Sequence, residues 1–367
     1  MSAITIENDL VHYEVLGRGR PVILVHGWLS SWRYWITTMQ QLSMKYRTYA
    51  LDLWGYGDSS KDTQRLGLDA QVKLVDDFIE KLGIGKKVAM VGHALGAAVA
   101  IRYALQKPER VARLMTISAP LFEHQGGSAP APARPTPAEA AAPTILKRPE
   151  AGDASTAPGD SAKPAQDAAE APETTVTRSL WSHDSPTILR RPPLDIPLTG
   201  RPSPAPEVRL PSAAALPSVP APDARPNPLL ERLTNVEPRQ LLEKHLPKDT
   251  PDFDKLMTEV SKTSARALSV SAASFDGVDL AEDVRRLISP TLLVHGEKDA
   301  FMPPPSENLI NYLSYGKDNF RCVVWPEVNH FPMLSEPAAF QRLVMDFLEI
   351  ADVDELELKE RWVRKVR

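Results

Sequence analysis

The segment with most to say about chemistry is Val88-Ala89-Met90-Val91-Gly92-His93-Ala94-Leu95-Gly96-Ala97-Ala98. An apolar run of strand type meets a Gly-x-x-x-Gly frame, and an alanine-rich segment of helix type follows at once. Strand, tight turn and helix in that order make a nucleophile elbow, which lifts one side chain above the carboxyl end of a parallel sheet. Glycine at 92 and 96 lets strand and helix approach closely enough for the turn. The raised position, where an elbow needs its nucleophile, is Ala94. A methyl group offers neither a lone pair nor a proton. The same frame lacks the Lys-Ser/Thr pair of a phosphate loop, and no metal-ligand spacing stands out. No cofactor and no metal are therefore expected.

The elements that must position this turn can be read along the chain. Ile4 to Glu7 and Leu10 to Leu16 read as a hairpin. Pro21 to Val25 is a continuous apolar run suited to a strand buried on both faces. The spacing predicts a helix over Trp32 to Met44, a strand over Tyr46 to Leu51 and an amphipathic helix from Leu68 to Leu82. The elbow strand, its helix to Gln106 and a strand from Leu114 to Ser118 follow. Later come short helices at Leu229 to Leu233, Leu241 to Leu246 and Phe253 to Leu268. A strand at Pro290 to His295, a helix at Pro303 to Tyr315, a strand at Phe320 to Trp325 and a helix at Pro337 to Ile350 close the pattern. Strands alternating with helices predict a mostly parallel sheet covered on both faces.

Between His124 and Pro228 lie 22 of the 35 prolines, so the segment 124–228 is expected to be a disordered Pro/Ala-rich insert after the sixth strand. Within it Pro143-Thr-Ile-Leu-Lys-Arg-Pro149 recurs as Pro186-Thr-Ile-Leu-Arg-Arg-Pro192. The repeat reads either as compositional drift or as a docking motif for a protein partner, with Thr144 and Thr187 as phosphate acceptors. Residues 1–123 and 276–352 read as the core, 229–275 as a helical cap and 353–367 as a charged tail. The net charge of −4 argues against a broad nucleic-acid surface. No apolar run approaches the ~20 residues of a membrane span, and the amino terminus does not read as a signal peptide. A lone cysteine, Cys322, excludes an intrachain disulfide and reads as a buried small hydrophobe. A cytoplasmic location is the expectation.

Taken together, His26-Gly27-Trp28 after a buried strand, the Asp52-Leu53-Trp54-Gly55-Tyr56-Gly57-Asp58-Ser59 loop, the elbow and the pair Gly296-Glu297-Lys298-Asp299 with Asn329-His330-Phe331 resemble the α/β-hydrolase fold superfamily, serine-hydrolase type. The resemblance implies a mostly parallel sheet with helices on both faces and a small helical cap. It implies that His330 is the general base, that Asp299 orients it, and that the N–H groups of Trp28 and Leu95 form an oxyanion hole. His93 and His295 are expected to be structural, and the Asp52 to Ser59 loop to shape the fold beside the pocket. Trp28, Trp32, Trp35, Trp54 and Tyr56 read equally as core or as the lining of a pocket for a small apolar or aromatic molecule.

Three readings of Ala94 stay open. The chain is a ligand- or partner-binding protein of hydrolase design with the insert as docking arm. Alternatively, the His330–Asp299 dyad acts alone as general base on an acidic C–H or O–H. In the third reading the chain is an ester hydrolase in which alanine has been put in place of serine. Loss of a nucleophilic serine costs on the order of a million-fold in turnover, so acyl hydrolysis is expected to be absent or strongly impaired.

Overall fold

The computed structural model describes residues 2–61, 64–122 and 227–356. The insert (apart from Asn227 and Pro228), its repeated motif with Thr144 and Thr187, and the tail beyond Leu356 lie outside the described residues. The opening hairpin joins β1 (Ser2–Ile6) to β2 (Asp9–Gly17). Its turn residues Glu7 and Asn8 both have positive φ, 48° and 72°, which matches the twist of a two-residue hairpin. Then come β3 (Arg20–Val25), α1 (Ile36–Leu42), β4 (Tyr46–Leu51), α2 (Leu68–Lys81), β5 (Val88–His93), α3 (Leu95–Gln106) and β6 (Val111–Ile117). Four short helices follow: α4 (Pro228–Leu233), α5 (Pro238–His245), α6 (Phe253–Val260) and α7 (Ala265–Ala273). The chain returns to the sheet through α8 (Leu280–Arg286), β7 (Thr291–Gly296), α9 (Glu307–Ser314), β8 (Phe320–Trp325), α10 (Pro332–Ser335) and α11 (Pro337–Glu349).

The eight strands form one sheet in the order β1-β2-β4-β3-β5-β6-β7-β8. Only β2 runs antiparallel to its neighbours, β1 and β4; β4, β3, β5, β6, β7 and β8 are mutually parallel. Every residue of β5 and of β7 is buried, as their uninterrupted apolar sequences require of strands covered on both faces. The register pairs Val25 with Gly92, His93 with Ile117, Ile117 with Val294 and Gly296 with Trp325. Five parallel strands therefore end at one edge, and the loops that leave this edge carry Trp28, Ala94, Ser118, Asp299 and His330.

Several expected elements are divided or displaced. The segment from Trp32 opens as a 3-10 turn over Trp32–Trp35 before α1, because the Ser31 hydroxyl accepts from Arg33 N at 3.3 Å and tightens the first turn. The single helix expected from Phe253 to Leu268 is two, α6 and α7. The Ser264 amide between them is taken by the Gly55 carbonyl at 2.9 Å, so the chain breaks there to dock on the loop after β4. Pro303, Pro304 and Pro305 do not join the following helix. Each proline disfavours the α region for the residue before it, and α9 starts only after Ser306, whose hydroxyl accepts from Leu309 N at 3.2 Å. Strand β6 begins three residues earlier than its apolar run suggests, at Val111. Cys322 is half-buried on the edge strand β8 rather than enclosed, although its thiol is desolvated and pushed up to about 12.

Candidate active site

The elbow is built as its glycines dictate. A Cβ on Gly92 would stand 2.3 Å from the Gly96 carbonyl oxygen, and one on Gly96 would stand 2.2 Å from the Val25 carbonyl oxygen. Only glycine permits β5, α3 and β3 to crowd together here. Between them Ala94 takes φ 50° and ψ −109°, a conformation that L-residues avoid and that costs of order 1–3 kcal/mol. It is pinned by its own amide, which donates to Ile117 O at 2.8 Å, and by its carbonyl, which accepts from Ala97 N and Ala98 N. Leu95 is the first residue of α3, whose leading amides have no acceptor inside the helix. The loop after β3 presses on this turn: a Cβ on Gly27 would meet the Ala94 Cβ at 2.8 Å. Trp28 and Leu95 thus sit on two segments in contact.

Asp299 and His330 are 31 residues apart and come from different loops, yet His330 Nδ1 lies 2.7 Å from Asp299 Oδ2. Gly296 makes this possible, since a Cβ there would stand 2.3 Å from the carbonyl oxygens of Val328 and Asn329. The two loops are further stitched by the amides of Glu297 and Lys298, which donate to Trp325 O and Val328 O, each at 2.9 Å. The other oxygen of Asp299 accepts from Phe301 N and Met302 N at 2.9 and 2.8 Å. Burial opposes its charge, but His330, these amides and the Ser118 hydroxyl outweigh burial and hold the carboxyl well below the usual carboxylate range. An ionised Asp299 accepts only, so His330 must carry its proton on Nδ1. Its Nε2 is the ring nitrogen not engaged by Asp299.

A second histidine ties this pair to the loop after β3. Gly27 N donates to Tyr34 Oη at 2.6 Å, Tyr34 Oη lies 2.9 Å from His93 Nδ1, and His93 Nε2 lies 2.9 Å from His330 O. Burial first, then the neighbouring His330, holds His93 well below the usual imidazole range, so it is neutral. A carbonyl can only accept, so the His93 proton sits on Nε2. The Tyr34 hydroxyl then donates to Nδ1 while its oxygen accepts from Gly27. Nothing in the sequence singles out Tyr34, which lies 59 residues from its partner. His26 restrains the same loop: its Nδ1 lies 2.8 Å from Gly27 O, and its Nε2 accepts from Leu53 N at 3.0 Å. His295 is fully enclosed and pushed down to about 4 by burial.

The loop after β4 closes on a buried carboxylate. Asp52 accepts from Trp32 N and Asp58 N and lies 2.8 Å from His12 Nδ1. His12, Asp52 and Asp58 bring ligand atoms within 4.8 Å of one another, a grouping that sequence spacing does not reveal. Their lone pairs are already committed to amides, to the His12 ring and to Lys262, whose Nζ lies 3.0 Å from Asp58 Oδ2. The grouping therefore reads as a structural ion-pair stack.

A cavity of about 380 Å³ opens over His330 between the end of α5 and the loops after β7 and β8. Its lining includes the charged and polar side chains of Lys244, His245, Lys298 and Asn329. None of the five aromatic residues that read equally as core or pocket lines it: Trp28, Trp35, Trp54 and Tyr56 are buried core residues, and Trp32 is half-buried against the core. Trp28 is spoken for by α7, its Nε1 donating to Ser271 Oγ at 2.7 Å. Among the described residues no helix is long and apolar enough to cross a membrane.

The fold agrees with that of known proteins. Residues 20–157 match the family model of the alpha/beta hydrolase fold. The chain has the alpha/beta hydrolase fold. An esterase from Exiguobacterium antarcticum has the same fold, with a TM-score of 0.59 at 16% identity over 94% of this chain and 98% of that one. The pimeloyl-[acyl-carrier protein] methyl ester esterase of Aliivibrio fischeri (strain MJ11) is 36% identical over 118 residues, 32% of this chain and 44% of that protein. A soluble epoxide hydrolase of Corynebacterium sp. (strain C12) is 34% identical over 109 residues, 29% of this chain and 37% of that one. The matched stretch spans less than half the length of these curated relatives. By name, these relatives are an esterase and an epoxide hydrolase.

Proposed function

We propose that the chain carries an acyl-ester site of the serine-hydrolase kind, complete except for its nucleophile. It binds an ester or acyl compound at His330 and hydrolyses it poorly or not at all. The observation that carries this reading is the contrast at the elbow: Ala94 holds the strained φ 50° of a nucleophile position, while His330 keeps its 2.7 Å contact with Asp299. In this reading the Trp28 and Leu95 amides face the carbonyl oxygen of the ligand. The relatives named for the hydrolysis of a methyl ester support the ester class.

A second reading has an observation of its own. His330 has its proton fixed on Nδ1 by an ionised Asp299, so Nε2 can remove a proton from a bound ligand or a water without a covalent intermediate.

The deciding experiment compares the chain as it stands with Ala94→Ser, using a fluorophosphonate probe and short nitrophenyl esters. Placing serine at 94 should give labelling and raise turnover by about a million-fold. No gain in either measurement would sink the ester-site reading. Turnover of any substrate by the alanine chain that disappears in His330→Ala would establish the second.

A further inference from the structure

The cavity over His330 has a charge balance opposite to that of the molecule. The chain as a whole carries a net −4. The cavity is lined by three ammonium groups, Lys244, Lys248 and Lys298, against the single carboxylate of Glu243. Two of the three are paired only at the surface. Lys248 lies 3.1 Å from Glu243 with both side chains largely in water, 77% and 45% exposed, and Lys298 pairs with the exposed Glu327. Exposed pairs of this kind are worth about 0–1 kcal/mol, so an incoming anion can replace the carboxylate in either. Lys244 has no ion-pair partner among the described residues.

His245, the last residue of α5, is half-buried, with its ring 5.2 Å from that of Phe301, which in turn stands 5.0 Å from the His330 ring. Burial first, then the neighbouring His330 and Lys244, pushes it down to about 4, against an opposing pull from Asp299. At neutral pH it adds no charge and presents a hydrogen-bonding nitrogen beside the lysines. A concave site with low-dielectric walls and an excess of one charge concentrates ions of the other. At about 380 Å³ the cavity suits a small molecule.

We infer that this cavity is an anion-accepting arm of the ligand site, formed by Lys244, Lys248, Lys298 and His245, and that the ligand is a small ester or acyl compound ending in a carboxylate or phosphate. The anion lies among the lysines while the other end reaches His330. The position of that second end rests on the ester-site reading; the lysine arm does not.

The test uses the full chain with Ala94 and three probes in calorimetric titration: monomethyl adipate, dimethyl adipate and adipate. The half-ester should bind at least ~10-fold more tightly than the neutral diester. Raising the salt from low to about 1 M, where the screening length falls to ~3 Å, should remove most of that preference. In the triple variant Lys244→Ala, Lys248→Ala, Lys298→Ala the ratio should fall to about one, with circular dichroism confirming the fold. Equal binding of half-ester and diester, or an anion preference that survives the triple variant, overturns the inference, as does failure of both anions to bind at ~10 mM. Adipate bound with the same lysine dependence supports the arm even where the half-ester gains nothing over it, an outcome that removes the ester-site reading alone. Phenyl phosphate in place of adipate distinguishes a phosphate arm from a carboxylate arm.

Discussion

Replacing Tyr34 with phenylalanine isolates the link between the loop after β3 and the His330 loop, because it removes one oxygen and leaves the ring in place. That oxygen accepts from Gly27 N at 2.6 Å and donates to His93 Nδ1 at 2.9 Å. Tyr34 is 2% exposed and His93 1%, so water does not reach either orphaned group without opening the structure. An unsatisfied buried donor or acceptor costs about 1–3 kcal/mol. Two of them give a loss of about 2–6 kcal/mol, and with no cavity to add we expect a value near 3. In urea denaturation the midpoint should fall with the slope unchanged, and the melting temperature should drop by roughly 6–12 °C, at ~2–4 °C per kcal/mol for a chain of this size class. A double-mutant cycle with His93→Ala should give a coupling of about 1–2 kcal/mol. The Gly27 amide should also exchange with solvent faster in Tyr34→Phe. A loss below ~0.5 kcal/mol with unchanged Gly27 exchange would refute the buried relay and the tautomers deduced from it.

Ala94→Gly should stabilise the chain by about 1 kcal/mol in thermal melts, because glycine removes the cost of φ 50° and the backbone otherwise stays as it is. Gly96→Ala should yield no cooperatively folded protein by circular dichroism, since its Cβ would meet the Val25 carbonyl at 2.2 Å and the backbone on both sides is fixed by the sheet. For His12, burial lowers the imidazole pKa but the contact with Asp52 more than reverses this, leaving it above its ordinary value of 6.5. The pair therefore stabilises fully below pH 6.5 and loses that contribution as pH rises through the raised folded value. The stability difference between the parent and His12→Gln should accordingly be largest near pH 6 and shrink toward pH 8; a flat difference would contradict the pairing.

Most of the scaffold is legible because it is written locally. The runs Pro21 to Val25 and Val88 to Val91 are apolar without alternation, and both became strands buried on two faces. A mostly parallel sheet covered on both faces followed from their alternation with amphipathic segments such as Leu68 to Lys81. What the sequence hides is set by contacts between distant residues. The break between α6 and α7 depends on the Gly55 carbonyl claiming Ser264 N, which no periodicity records. Glu259 looks like an ordinary helix-surface acid, yet it is 4% exposed and holds Ser31 at 3.1 Å, Arg33 at 3.3 Å and Lys262 at 3.0 Å. Aromatic residues near the front loops were equally compatible with core and pocket. The burial of Trp28, Trp35, Trp54 and Tyr56 shows that packing claimed them, while the cavity is lined by lysines at the end of α5 and on the loop after β7.

Among the site residues, position 94 is where function and folding come apart. Asp299 is needed by the fold whatever the chemistry: its Oδ1 satisfies the amides of Phe301 and Met302, and its Oδ2 holds His330. Removing it would strand two buried amides and a ring nitrogen, at about 1–3 kcal/mol each. His330 is tied in turn through its carbonyl to His93. Persistence of the pair therefore does not require turnover, because stability alone would keep it. Ala94 has no such excuse. Its methyl is buried against Gly27, its backbone is strained, and a glycine would relieve the strain while keeping every hydrogen bond that the residue makes through its backbone. Substitutions at Asp299 or His330 mix stability with chemistry, whereas Ala94→Ser adds one oxygen to a turn already bent to receive it. Chemistry restored by that single change would assign the site to acyl transfer; a folded serine variant that remains inert would leave the strained turn as a structural consequence of the Gly92 and Gly96 contacts alone.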